Sequence, residues 1–134
     1  MKKLWLFAIV LCTACKTDET LAAYGAADTT WQLTTIDDSA FAARATLNFL
    51  PDGLVRGHAP CNSFTATQTA PYPWFELTPV LSTKRACKAL QAERRFFAAL
   101  SKMSLAEISG DTLILSNDAG QLMLFKKTAL TDDG

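Results

Sequence analysis

Between residues 29 and 127 the apolar positions recur mostly at a spacing of two, with one long stretch at helical spacing. Residues 29–36 (TTWQLTTI) set Trp31 and Leu33 in alternation. Residues 44–50 (RATLNFL) alternate Ala45, Leu47 and Phe49 with Arg44, Thr46 and Asn48, the pattern of a half-buried strand. Pro51-Asp52-Gly53 then predicts a turn, because proline fixes φ and glycine accepts positive φ. The return through 54–58 (LVRGH) makes a hairpin. Residues 63–69 are rich in β-branched side chains and predict another strand. Pro71, Pro73 and their neighbours break the chain before a fifth strand at 74–80. The helix expected over 86–103 sets Ala89, Ala92, Phe96, Ala99, Leu100 and Met103 on one face, with Lys88, Arg94, Arg95 and Lys102 largely off it. Ser82 or Thr83 is the expected N-cap. Strands follow at 104–109, 111–117 and 121–127, the last two joined by an Asn-Asp-Ala-Gly turn. About eight short strands with one helix between the fifth and sixth predict a mainly β (α+β) fold, a curved antiparallel sheet that is sandwich- or barrel-like. Residues 128–134 are expected to fray.

The first residues change where the domain is sought. Met1-Lys2-Lys3 is a short basic head, 4–12 is an apolar run of signal-peptide length, and Thr13-Ala14 are small residues before Cys15. LCTAC (11–15) resembles the bacterial lipobox, although Cys12 stands where leucine is usual. That resemblance makes 1–14 a lipoprotein-type signal peptide and Cys15 the lipidated residue, cleavage to a secreted form being the alternative. Lys16 in place of aspartate points to the outer membrane, with the domain in the periplasm. Residues 15–28, small, polar and aperiodic, read as a tether. The chain of 134 residues, 49% hydrophobic, suits one domain after such a leader. Its formal charge is zero; without Lys2 and Lys3 the 13 basic residues become 11 against 13 acidic. A slightly acidic body offers no electrostatic footprint for nucleic acid.

With Cys12 and Cys15 assigned to the leader and its lipid, Cys61 and Cys87 remain as an even pair in an oxidising compartment. A structural disulfide, two buried thiols, and a reactive Cys87 flanked by Lys84, Arg85 and Lys88 all fit that count. A metal site made of Cys61, Cys87 and His58 lacks a fourth ligand and the usual paired spacing. His58 alone is a thin supply of general base, and no Gly-x-Ser-x-Gly, phosphate-cradling loop or His-Glu-x-x-His occurs. Asn62 could serve an oxyanion or bond backbone groups left over where a strand ends. Tyr72 and Trp74, on a proline-stiffened loop, form a possible binding patch. No catalytic set, cofactor or metal is expected.

Trp31-Gln-Leu33, the run Phe49 to Gly57, Cys61-Asn62-Ser-Phe64 and Thr83-Lys-Arg-Ala-Cys87, with Glu93, Phe97 and Leu100 on the helix and Gly120 to Phe125 at the end, resemble the META domain, or HslJ-like, family over 29–127. The resemblance makes Trp31, Gly57, Cys61, Asn62, Thr83, Cys87 and Glu93 family-motif positions. It implies a compact curved β structure with one helix, commonly in an envelope lipoprotein linked to stress or antibiotic tolerance, without an established catalytic activity. The expectation is a non-enzymatic, monomeric envelope lipoprotein that acts by binding. A protein- or peptide-binding module, like small periplasmic barrels that inhibit cell-wall hydrolases, is the alternative, and a thiol oxidoreductase a third.

Overall fold

The computed structural model describes residues 19–128; the stretch expected to be a signal peptide, Cys15 as the expected lipid site, and residues 129–134 lie outside that range. Nine strands and one helix follow in the order β1 (Thr30–Ile36), β2 (Ser39–Ala40), β3 (Thr46–Phe49), β4 (Leu54–His58), β5 (Ser63–Thr67), β6 (Leu81–Ser82), α1 (Leu90–Leu100), β7 (Leu105–Ser109), β8 (Thr112–Ser116) and β9 (Leu122–Thr128). They pair in the spatial order β6-β5-β4-β3-β1-β9-β8-β7, with the two-residue β2 folded onto β1. Every pairing between these strands is antiparallel.

The sheet curves because strands twist right-handedly and because the β1–β9 register shifts between Leu33 and Thr35. One face is lined by the alternating apolar residues read from the sequence, among them Trp31, Leu33, Leu47, Val55, Leu113 and Phe125, all 2% exposed or less. Phe96, Leu100 and Met103 from the helical segment complete the same core. The path of paired strands is not closed. Its gap is spanned by irregular chain: the Phe75 N–H donates to Ser104 O and Ala106 N–H to Pro73 O on the β7 side. On the β5 side, Thr69 N–H donates to Glu76 O and Thr78 N–H to Thr67 O.

That spanning segment replaces the strand expected at 74–80. Only isolated bridges at Trp74 and Leu77 are strand-like. Prolines at 71, 73 and 79 remove donors that a ladder needs. The buried Gln68 side chain takes over: Nε2 donates to Ala70 O at 3.0 Å and to Trp74 O at 2.8 Å, while Oε1 accepts from Glu76 N–H at 3.0 Å. The two-residue strands β2 and β6 carry too short a pattern to be read, which is why nine strands stand where eight were expected.

Two other boundaries move. The expected tether is folded from about residue 20. Leu21 and Ala26 are core residues at 1% and 0% exposure, and a short π-type turn over Ala22–Ala26 is pinned when Trp31 Nε1 donates to Ala26 O at 3.2 Å. Polar composition hid this segment because only two of its side chains are needed inside. At the other end, Thr128 belongs to β9 and pairs with Thr30.

Gly57 has a specific reason to be glycine. It lies opposite Phe64 in the β4–β5 ladder, and a Cβ there would collide with the Phe64 ring and with Thr46 O. The bare backbone lets Phe64 reach the helix, where its ring meets Phe96 at 5.8 Å and Phe97 at 5.3 Å. Gly57→Ala is therefore expected to destabilise by about 1–3 kcal/mol through overpacking. Urea unfolding would show a lower midpoint at unchanged slope; an unaltered midpoint would count against this packing.

Candidate functional site

The β4–β5 hairpin turns through Ala59 to Asn62, closed by Ala59 N–H donating to Asn62 O at 2.7 Å. This turn carries Cys61 and Asn62 to the chain that leads into α1. The two are joined there first by covalent bond: Cys61 and Cys87 form a disulfide with Cα atoms 5.6 Å apart. Both sulfurs are thus spent on each other. Among the described residues no group of three or more His, Cys, Asp or Glu is placed to hold a metal.

Beside the disulfide lies a buried polar network. Asn62 is 6% exposed and Glu93 5%. Asn62 Nδ2 donates to Glu93 Oε2 at 2.7 Å and to Arg85 O at 3.0 Å. Asn62 Oδ1 accepts from Thr83 Oγ1 at 2.8 Å and from Arg85 N–H at 2.6 Å. Glu93 Oε1 accepts from Cys61 N–H at 3.0 Å. Both hydrogens and both lone pairs of the Asn62 amide are used, and both carboxyl oxygens of Glu93 are engaged.

This network explains why the helix is shorter than its periodicity predicts. Residues 83–87 have helix-compatible side chains, but Arg85 gives its N–H and C=O to Asn62 rather than to helical partners, and Cys87 is tied to Cys61. The helix begins only at Leu90, with Ala89 as N-cap and no side-chain cap. Ser82 instead pairs in β6, and Thr83 spends its hydroxyl on Asn62. At the far end Ser101 is the C-cap and the chain turns away before Met103.

Six of the seven motif positions are drawn together here or next to it: Gly57, Cys61, Asn62, Thr83, Cys87 and Glu93. Trp31 sits apart in the core. Around the network opens a cleft of about 450 Å³ whose walls include Arg44, His58, Pro60, Ser63 and Arg85. Arg44, His58 and Arg85 are exposed, and the two arginines make the rim cationic although the chain as a whole carries no net charge. Arg44 and Gln68 were not read as site residues. Arg44 falls at a polar position of the strand expected at 44–50 and Gln68 within the one expected at 63–69, so neither stands out from its pattern.

Tyr72 and Trp74 lie elsewhere. The loop bearing them leaves from the Thr67 end of β5, whereas the cleft sits at the Ser63 end. Trp74 is 57% exposed. Tyr72 is half-buried and stacks on Tyr24, ring centroids 4.6 Å apart and 17° from parallel. Tyr24, itself 48% exposed, was hidden in the segment read as tether.

Comparison with known proteins gives the fold a context. The META domain family model matches residues 21–129, which includes the segment pinned by Trp31. A protein from Burkholderia xenovorans, solved by NMR, superposes with a TM-score of 0.65 at 19% identity, over 80% of this chain and 86% of that one. A DUF4847 family protein from Bacteroides vulgatus, known from a crystal structure, gives 0.61 at 12% identity, over 78% and 96%. Identities this low speak to fold alone. No curated protein matches the chain.

Proposed function

The chain belongs to the META domain family, and from that premise we propose that it is a non-catalytic, lipid-anchored envelope protein that acts by binding, in stress or antibiotic tolerance. The observation that carries this reading is the saturation of the motif residues. Cys61 is bonded to Cys87, and every side-chain polar atom of Asn62 and Glu93 has a protein partner. A nucleophile, base or oxyanion donor must be free to meet a substrate, and these groups are occupied in holding a hairpin to a helix. In this reading the cleft, rimmed by the cations Arg44 and Arg85 with His58 beside them, is the recognition surface, suited to an anionic segment of an envelope protein or peptide. The anchor is Cys15, in the outer membrane and facing the periplasm.

Metabolic labelling with a palmitate analogue tests the anchor. Label should appear on the wild-type chain and vanish in Cys15→Ser; label that is absent, or that survives the substitution, removes the lipoprotein part. A second reading, a peptide-binding or inhibitor module recognising its partner through Tyr72 and Trp74, is favoured by the 57% exposure of Trp74.

A further inference from the structure

We propose that the aromatic patch made by the exposed Tyr24 and Trp74 with the half-buried Tyr72 seats the domain on the bilayer surface, in the headgroup region next to its own anchor. This rests on the reading of Cys15 as the lipidated residue. The steps are geometric. Glu19 is not at the end of a long leash: its carbonyl accepts a hydrogen bond from Tyr72 N–H at 2.8 Å. Only residues 16–18 separate it from Cys15. An extended chain advances at most about 3.6 Å per residue, so Glu19 lies no more than about 14 Å from a lipid-bearing Cys15. The headgroup zone of each leaflet is itself roughly 5–8 Å deep. A domain held this closely presents to the membrane the region around Glu19: Tyr72, to which it is bonded, Tyr24 stacked on that ring, and the exposed Trp74 two residues further along the loop.

The chemistry of the face matches that neighbour. Tyrosine and tryptophan pair an apolar ring with a polar tip and favour the membrane–water boundary. The face is also preorganised, since Gln68 clamps the loop through Ala70, Trp74 and Glu76 and β7 holds it through Pro73 O and Phe75 N–H. Residues 19–28 and 68–82 contain no lysine or arginine, so the contact is aromatic rather than electrostatic and should persist in high salt. The cation-rimmed cleft, at the opposite end of β5, is then left open to the aqueous side.

Tryptophan fluorescence reads this directly, because beyond Cys15 the chain has only Trp31, fully buried, and Trp74, exposed. Mature protein purified from membranes would be reconstituted into phosphatidylethanolamine–phosphatidylglycerol vesicles with acyl chains brominated near the headgroup. Its intact mass would be measured in parallel. A Trp74→Phe variant supplies the Trp31 signal, and the difference belongs to Trp74. The expected result is a blue shift and loss of most Trp74 emission, protection from acrylamide, and no reversal by salt. A diacylated chain whose Trp74 stays unquenched and open to acrylamide overturns the proposal while the anchor stands. So does a photo-crosslinker at position 74 that captures a protein rather than lipid in cells. A mature chain without lipid mass removes the anchor reading, and this inference with it.

Discussion

Glu93→Ala is expected to cost the domain about 2–5 kcal/mol, because it strands two donors at once. Cys61 N–H and one Asn62 Nδ2 hydrogen would lose their acceptor in a place where Glu93 and Asn62 are 5% and 6% exposed. Each buried unsatisfied group carries a penalty of about 1–3 kcal/mol. Glu93→Gln keeps one acceptor oxygen and most of the volume, so it should lose less, though its NH2 would replace the other acceptor and face a donor, either Cys61 N–H or Asn62 Nδ2. Chemical denaturation resolves the two variants: alanine well below glutamine, glutamine below wild type. If alanine unfolds at the wild-type midpoint, water has taken the carboxyl group's place and the network is not a structural joint.

Removing the disulfide comes next in size. Cys61 and Cys87 are 26 positions apart, and closing a loop of that length stabilises by about 3–4 kcal/mol in the chain-entropy model. That is a large share of the roughly 5–15 kcal/mol a domain has to lose. The double substitution Cys61→Ala/Cys87→Ala should lower the urea midpoint accordingly, and dithiothreitol should do the same to the wild type, Cys87 being exposed. A reduced protein as stable as the oxidised one would contradict the staple. Because Cys61 N–H also bonds Glu93, the losses from Glu93→Ala and from the cysteine pair should not add.

The two effects concern the same few square ångströms of chain, and this is what the motif achieves. A five-residue strand ends, a hairpin turns, and without the joint the 83–89 segment would extend α1 as its composition favours. Asn62 mimics the backbone partner that a strand would have offered to Arg85, and the disulfide fixes the spacing. The helix is then delivered to the core with Phe96 under Phe64, over the space that Gly57 leaves.

Strand positions were legible because burial on one face writes a period of two into the chain: Leu54–His58 falls where the alternation puts it, and most others shift by a residue or two. The helix was legible by its apolar face and misjudged at its start, since nothing in the sequence of 83–89 announces that its backbone is engaged elsewhere. Glu93 was named only through the family resemblance. Its place three residues before Phe96 puts a carboxyl group on the apolar stripe, a hint that it would be buried and partnered. Residues 21–27 were misread as tether because two small contributions, Leu21 and Ala26, make no periodic pattern. The segment 74–80 looked like a strand by composition, but its backbone answers to Gln68, a side chain no pattern singles out. Because the fold starts near residue 20, Tyr24 belongs to its surface and Glu19, bonded to Tyr72, is the folded residue nearest in sequence to the proposed anchor at Cys15.

Asn62 and Glu93 are bonded to each other inside the fold, and in the proposed reading that bond is their role. A double-mutant cycle on unfolding free energy measures that interaction most directly, using Asn62→Ala, Glu93→Ala and the pair in the disulfide-bonded protein. The expected result is two strongly destabilised single variants and a coupling of about 1–3 kcal/mol, the double variant losing much less than the sum. Near-neutral single variants whose effects simply add would contradict it, and would return the Cys-Asn motif to the candidates for chemistry.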